Sequence, residues 1–391
     1  MNTRDLASEI LVTLSDRKEV LVLGGTGQFG ERICRRLSKE AGISLIVTSR
    51  DKARAEALAS DLRRLSPGAN VRGAALDQDS ASFSTDLEAL DPYIVLHTAG
   101  PYQYQDYRVA KACIAAGSHY VDLADGRDFV CGFSSLDTAA RKKDLLLVSG
   151  ASTLPGLSAA VVDELAPKFS RIESVQMSIA PAHQTPRGRG TVAAVLSYCG
   201  SPFKTLRDGE WTTVYGWQDL RLQNYPELGK RLSAACDVPD LTLLPDHLSG
   251  VKTVSFHAAL EATWEQLFLW LMAWFTRLRI VRSWQRFIPF FTAMSERLIF
   301  LGSVRGGMHI RISGLSLEKQ AVNYSWYMTA EENHGPEIPC TPSIVLVKKL
   351  LNGDLALRGA RPCMSMMTVD EIMAELSNFN ISTETLLERD E

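Results

Sequence analysis

Short apolar runs alternate with amphipathic stretches through the first 150 residues. Residues 20–23 form an apolar run the length of a buried strand, and a glycine-rich stretch, 24–30, follows directly. Residues 31–40 carry Ile33, Cys34 and Leu37 at helical spacing. Further strands are predicted at 45–47, 71–76, 94–96, 120–123 and 145–148, with helices at 51–64, 108–116 and 134–143. Strands alternating with helices at this spacing predict βαβ units, hence a parallel sheet in an α/β fold.

After Gly150 the pattern changes. A helix is predicted at 157–165. Strand-like, partly alternating runs follow at 175–180, 253–259, 309–313 and 321–328. They predict a second, α+β domain around an antiparallel or mixed sheet, serving substrate binding or dimerisation. The tail returns to helices at 343–351 and 369–376, suited to packing back on the first domain. The expected division is 1–150 with 341–391 in one domain and 151–340 in the other. Residues 1–16 read as a short amphipathic helix with Leu6, Ile10 and Leu14 on one face, too interrupted by charge for a secretory signal.

Composition narrows the functions. The chain has 391 residues, more than one core usually supports. Its formal charge of −3 and lack of a basic face argue against nucleic acid. Seven scattered cysteines, none paired at metal-ligand spacing, predict reduced thiols in a cytoplasmic protein without a metal site.

The glycine run carries the first chemistry. Gly25-x-Gly27-x-x-Gly30 has dinucleotide spacing between a strand and a helix. Gly25 is expected to make the tight turn, Gly27 to admit the diphosphate to the backbone, and Gly30 to let helix and strand pack closely. Gly24, Thr26, Gln28 and Phe29 complete the loop, whose helix N–H groups would meet the phosphate charge. Six strands then make a full doubly wound Rossmann unit. The second strand ends Thr48-Ser49-Arg50 rather than in an acid, which suits the 2′-phosphate of NADP(H): Ser49 can donate to it and Arg50 can pair with it. Asp51 would instead favour NAD(H) if the strand ran on, and the competing reading of Arg50 is a solvated residue at a helix start. Asp77, after the third strand, could cap the adenine edge or simply make a turn. Ala99-Gly100-Pro101, after the fourth, is placed where a loop must pass close to the cofactor.

The Gly-Gly-Thr-Gly loop, Ser49-Arg50, the 97–102 stretch His-Thr-Ala-Gly-Pro-Tyr, Tyr120-Val121-Asp122-Leu123 and Ser152-Thr153-Leu154-Pro155-Gly156 occur in an order and spacing that resembles the saccharopine dehydrogenase-like oxidoreductases. The resemblance covers residues 18 to about 205 and returns at 342–362, with Asn352-Gly353 and Gly359-Ala360; it is poor at 206–306. It implies a Rossmann domain completed by the C-terminal tail, an inserted substrate domain, NADP(H), hydride transfer to or from a C–N bond (in some relatives C=C), and a homodimer. His97 stands where such proteins commonly have Asn, and the substrate domain diverges most. The resemblance therefore supports cofactor and fold better than saccharopine as substrate.

Candidates for catalysis lie near strand ends, where ligands bind such sheets. Tyr102 and Asp122 are expected to line the nicotinamide pocket; the competing readings are a packed aromatic and a buried loop cap. His97 reads more simply as a hydrogen-bonded core histidine. Tyr104, Asp125, Arg127 and His183 are further polar candidates. Arg187 and Arg189, in the glycine-rich 186–191 loop, could clamp a substrate carboxylate or be solvated. Residues 264–301 mix a dense Trp, Phe and Leu run with five arginines. Three readings fit: an oligomer interface, a lid over an apolar substrate, or peripheral contact with a membrane surface. Two functions compete: an NADP(H)-dependent oxidoreductase acting on a small molecule, and a non-catalytic NADP-binding sensor or scaffold.

Overall fold

The computed structural model describes residues 18–388. The amphipathic helix expected at 1–16 lies outside them. Six strands appear as the hydrophobic pattern predicts: β1 (Glu19–Leu23), β2 (Ser44–Ser49), β3 (Asn70–Ala75), β4 (Ile94–His97), β5 (His119–Asp122) and β6 (Leu146–Ser149). β4, β5 and β6 are buried throughout, as strands covered on both faces by helices must be.

Ten further strands follow: β7 (Phe169–Ala180), β8 (Pro202–Arg207), β9 (Glu210–Tyr215), β10 (Arg221–Tyr225), β11 (Gly229–Ala235), β12 (Thr253–Ala259), β13 (Gly306–Ser316), β14 (Ala321–Ala330), β15 (Gly359–Pro362) and β16 (Ile381–Glu388). The first sheet has the order β15-β6-β5-β4-β1-β2-β3 and every pairing in it is parallel. That is a Rossmann sheet with one strand added at its edge. The second sheet runs β10-β11-β12-β7-β13-β14-β16, with β8 and β9 branching from β12. It is mixed: β7 and β12 are parallel, while β13 and β14 form a long antiparallel ladder.

The tail divides between the two sheets. The helix Thr341–Asn352 and β15 join the first, where Ala360 pairs with Leu147. β16 crosses over and pairs with β14 along eight positions, from Ile381↔Ala330 to Glu388↔Asn323. The sequence pattern places all of 341–391 in the Rossmann domain, and β16 departs from that expectation. β16 shows almost no burial, so no apolar alternation marks it. The helix expected at 31–40 begins earlier, at Gln28–Leu37, because Gly27 already stands at its N-terminal cap.

One buried acid carries a pH dependence. Asp240 opens the helix Asp240–His247 and is fully buried. Ser158 donates to its Oδ1, while Oδ2 has no partner. Burial pushes its carboxyl up to about 7. The folded state therefore holds this proton at pH values where the unfolded chain has released it. The resulting stability is complete below pH ~4 and is lost as pH rises through ~7. At ~1.4 kcal/mol per pKa unit the loss amounts to a few kcal/mol. Melting temperatures measured from pH ~5 to ~8 should fall for the wild type and stay flatter for Asp240→Asn. Parallel curves would show that Asp240 ionises normally in the folded chain.

Candidate functional site

The two domains enclose a cavity of about 1290 Å³. Ligand pockets usually span about 300–1,000 Å³, so there is room for a dinucleotide and a second molecule. One end is built by the β1 loop. Gly24 has φ +79 and makes the turn expected of Gly25; a Cβ on Gly25 would sit 2.9 Å from the Val47 side chain instead. Gly30 does what the motif requires, since a Cβ there would lie 2.3 Å from the Gly24 carbonyl and 2.8 Å from the Gly25 Cα. Both obstacles are backbone and cannot swing aside. Gly30→Ala should abolish NADPH and NADH binding together and destabilise the protein by about 1–3 kcal/mol. Calorimetric titration of a folded variant that still binds either dinucleotide would show that the loop is not the cradle.

No side chain caps the helix Gln28–Leu37, so its first N–H groups are available to an anion. Gly24, Thr26, Gly27, Gln28, Phe29, Ser49, Arg50, Asp77, Ala99, Gly100 and Pro101 all line the cavity; Gly25 and Gly30 pack behind it. Asp51 is the N-cap of the helix Lys52–Leu65 and accepts from the Ala53 N–H at 2.9 Å. One of its carboxylate oxygens is thereby engaged by the helix, while Asp51 also lines the cavity. Asp77 accepts from the Asp79 N–H at 3.2 Å, a turn, while still facing the cavity.

The arginines separate by their partners. Most of those described are paired with acids. Arg50, Arg54, Arg187 and Arg189 line the cavity and have no carboxylate partner among the described residues. Arg187 is the more pointed case, because its Nη2 is buried without a hydrogen bond. The 186–188 loop is pinned by Gln28: Nε2 donates to the Pro186 carbonyl at 2.7 Å, and Oε1 accepts from the Gly188 N–H at 3.0 Å. The second domain's basic loop is thus clipped onto the first domain's glycine loop. Unpaired guanidinium groups beside an uncapped helix N-terminus fit a ligand rich in phosphate.

The catalytic candidates fare differently. Tyr102 borders the cavity, but its hydroxyl donates to the His97 carbonyl at 2.7 Å. Burial, and then the charges of Asp122 and Asp125, hold its proton well above the ordinary phenol range. Asp122 is a correction. It is fully buried behind the cavity, where one carboxylate oxygen accepts from the N–H groups of Gly150 and Ala124 and from the Ser149 hydroxyl. It ties the β5 loop to the β6 loop, which is the loop-cap role. His97 is a core histidine: Nε2 donates to Gln78 Oε1, so Nδ1 accepts from the Tyr120 hydroxyl, both at 3.0 Å. Burial pushes it down to about 3 and keeps it neutral. Tyr104 is exposed, and Asp125 borders the cavity, bonded by Gln103. Arg127 bridges the domains, binding Thr242, the Lys204 carbonyl and Asp237.

The cavity's other end comes from the second domain. Trp217, Phe256 and Met308 line it, together with Trp264, Phe268 and Leu269 of the helix Thr263–Arg277 and Phe291, Met294 and Leu298 of the helix Ile288–Leu298. The helices meet through Phe268 and Phe291, whose ring centroids are 6.3 Å apart. This wall is mostly apolar, with Asp237, Tyr198, Ser295 and Glu265 as its polar members. Glu265 lines the cavity, and its buried Oε2 lies 3.4 Å from Nδ1 of His183, itself buried. Neither atom has a hydrogen-bond partner elsewhere. His183 Nε2 donates to the Leu298 carbonyl at 2.9 Å, so a neutral ring turns its Nδ1 lone pair toward the carboxylate. The contact is attractive only with a proton held between them. The sequence reading singled out His183 but passed over Glu265. The available signal was a single acid within the apolar run 264–275.

No curated protein matches the chain by sequence. Among solved structures, saccharopine dehydrogenase (L-Glu forming) from Saccharomyces cerevisiae superposes with a TM-score of 0.66 at 17% identity, over 94% of this chain and 100% of that one. Homospermidine synthase from Legionella pneumophila, solved with NAD, superposes with a TM-score of 0.56 at 10% identity, over 95% of this chain and 91% of that one. At such identities the likeness is one of fold. Residues 20–145 match the family model of the saccharopine dehydrogenase NADP binding domain.

Proposed function

We propose that the protein is an NADP(H)-dependent oxidoreductase that moves a hydride to or from a C–N or C=C bond of an apolar small molecule. The observation that carries this reading is one continuous cavity, with an arginine-rich glycine-loop end and an apolar end holding the Glu265–His183 pair. Bound NADPH would supply the hydride. Ser49, Arg50 and Arg54 would hold its 2′-phosphate, while the helix N–H groups and Arg187 would hold the diphosphate. Glu265 would pass the proton it shares with His183 to the reduced substrate, and the pair would take up a proton from solvent before the next turnover, the His183 Nε2 staying anchored on the Leu298 carbonyl. Trp264, Phe268 and Phe291 would orient the substrate by packing and keep water out. An amino diacid suits such a wall poorly, because its charges would be buried without partners.

The test is a titration with NADPH and NADH followed by nicotinamide fluorescence. NADPH oxidation is then measured against a panel of apolar imines and enones. Tight NADPH binding, at least tenfold weaker NADH binding and turnover of a panel member are expected. Tight binding without turnover of any imine or enone, polar members included, would favour an NADP-binding sensor instead.

A further inference from the structure

The helix Thr263–Arg277 is apolar on the face it turns to solvent. Trp264, Leu267, Phe268, Leu271, Phe275 and Leu278 recur at three- and four-residue steps, and each is between 38% and 62% exposed. A surface helix ordinarily shows charge on that side. Phe290 and Phe300, on and just after the second helix, are also exposed. Just beyond the stripe stand Arg279, Arg282 and Arg286, all exposed, with Arg297 on the second helix. None of these four has a carboxylate partner among the described residues. Apart from Arg361 and Arg277, which bond the Arg358 carbonyl and the Gln218 amide, the other described arginines without an acid line the cavity. Residues 264–301 set five arginines against Glu265 and Glu296, in a chain whose formal charge is −3.

From this charge arrangement we propose that the helical hairpin 263–301 docks on an anionic lipid bilayer, lying in the plane of its surface. Aromatic and aliphatic side chains would enter the headgroup boundary while the arginines meet lipid phosphates. No helix among the described residues is long and apolar enough to cross a membrane, so the segment lies on the surface rather than spanning it. A second copy of the chain fits the charges less well. A two-fold contact sets the same patch against itself and would bring these unpaired arginines together without acids to receive them. The docked helix is also the cavity wall, since Trp264 and Phe268 belong to both. An apolar molecule dissolved in the bilayer would therefore meet the protein beside the cavity.

The experiment is co-sedimentation of the purified full chain with vesicles of phosphatidylcholine alone and of phosphatidylcholine with phosphatidylglycerol. NADPH binding is measured on the same samples, so failure of docking and failure of the cofactor reading separate. Wild type should bind the anionic vesicles and largely ignore the neutral ones. The triple variant Arg279→Ala, Arg282→Ala, Arg286→Ala should partition about a hundredfold less, at roughly fivefold per arginine near the surface. Leu271→Glu with Phe275→Glu should lose vesicle binding while NADPH binding stays unchanged; neither residue lines the cavity. Equal binding to both vesicle types, binding to neither, or a dimer that Leu271→Glu converts to monomer without any lipid binding would each overturn the proposal.

Discussion

Replacing Ser49 by Asp and Arg50 by Ala is expected to weaken NADPH binding about a hundredfold and to leave NADH binding nearly unchanged. The change removes a charge-assisted contact worth about 1.5–3 kcal/mol and sets a carboxylate against the 2′-phosphate. Ser49 and Arg50 stand at the end of β2 on the cavity wall. Asp51, which also lines the cavity, has one carboxylate oxygen engaged in capping the next helix. Fluorescence titration of the double variant with both nucleotides checks this. Equal losses for the two would mean that the 2′-phosphate does not sit at this strand end.

Glu265→Gln is expected to lower kcat by about a hundredfold or more, the usual contribution of a positioned general acid. The dissociation constant for NADPH should not move, since Glu265 lies at the apolar end of the cavity. The variant keeps the shape of the side chain but cannot give up a carboxyl proton to substrate. A KM-against-kcat comparison separates this role from mere packing, because the loss should fall on kcat while KM stays near its wild-type value. An unchanged kcat would remove the pair from the mechanism.

Much of the dinucleotide end was legible because its signals are local. A strand, a glycine run and a helix are adjacent in sequence, and Ser49-Arg50 follows from counting one strand onward. The α/β class followed from the same periodicity, and β12 spans the residues its pattern marks. The strands β8 to β11 were not legible. β9 exposes most of its residues and β10 buries only Tyr225, so neither carries a buried face to write an apolar pattern. Asp122 misled for a related reason: an acid at a strand end reads as chemistry, and only the N–H groups of Gly150 and Ala124 reveal it as a loop cap. The Glu265–His183 pair joins residues that follow β12 and β7, strands far apart in sequence that pair in parallel, and no local pattern brings them together.

The clip between Gln28 and the 186–188 loop has a consequence for the order of events. The loop belongs to the second domain, yet it fastens to the dinucleotide cradle of the first. A nucleotide held between them would be freed by opening both hydrogen bonds of the Gln28 side chain. A substrate at the apolar end, next to the surface-facing helix, has no such gate in its way. Turnover would then run as a compulsory sequence, in which nucleotide enters first and departs last, and its release sets the pace when substrate is plentiful.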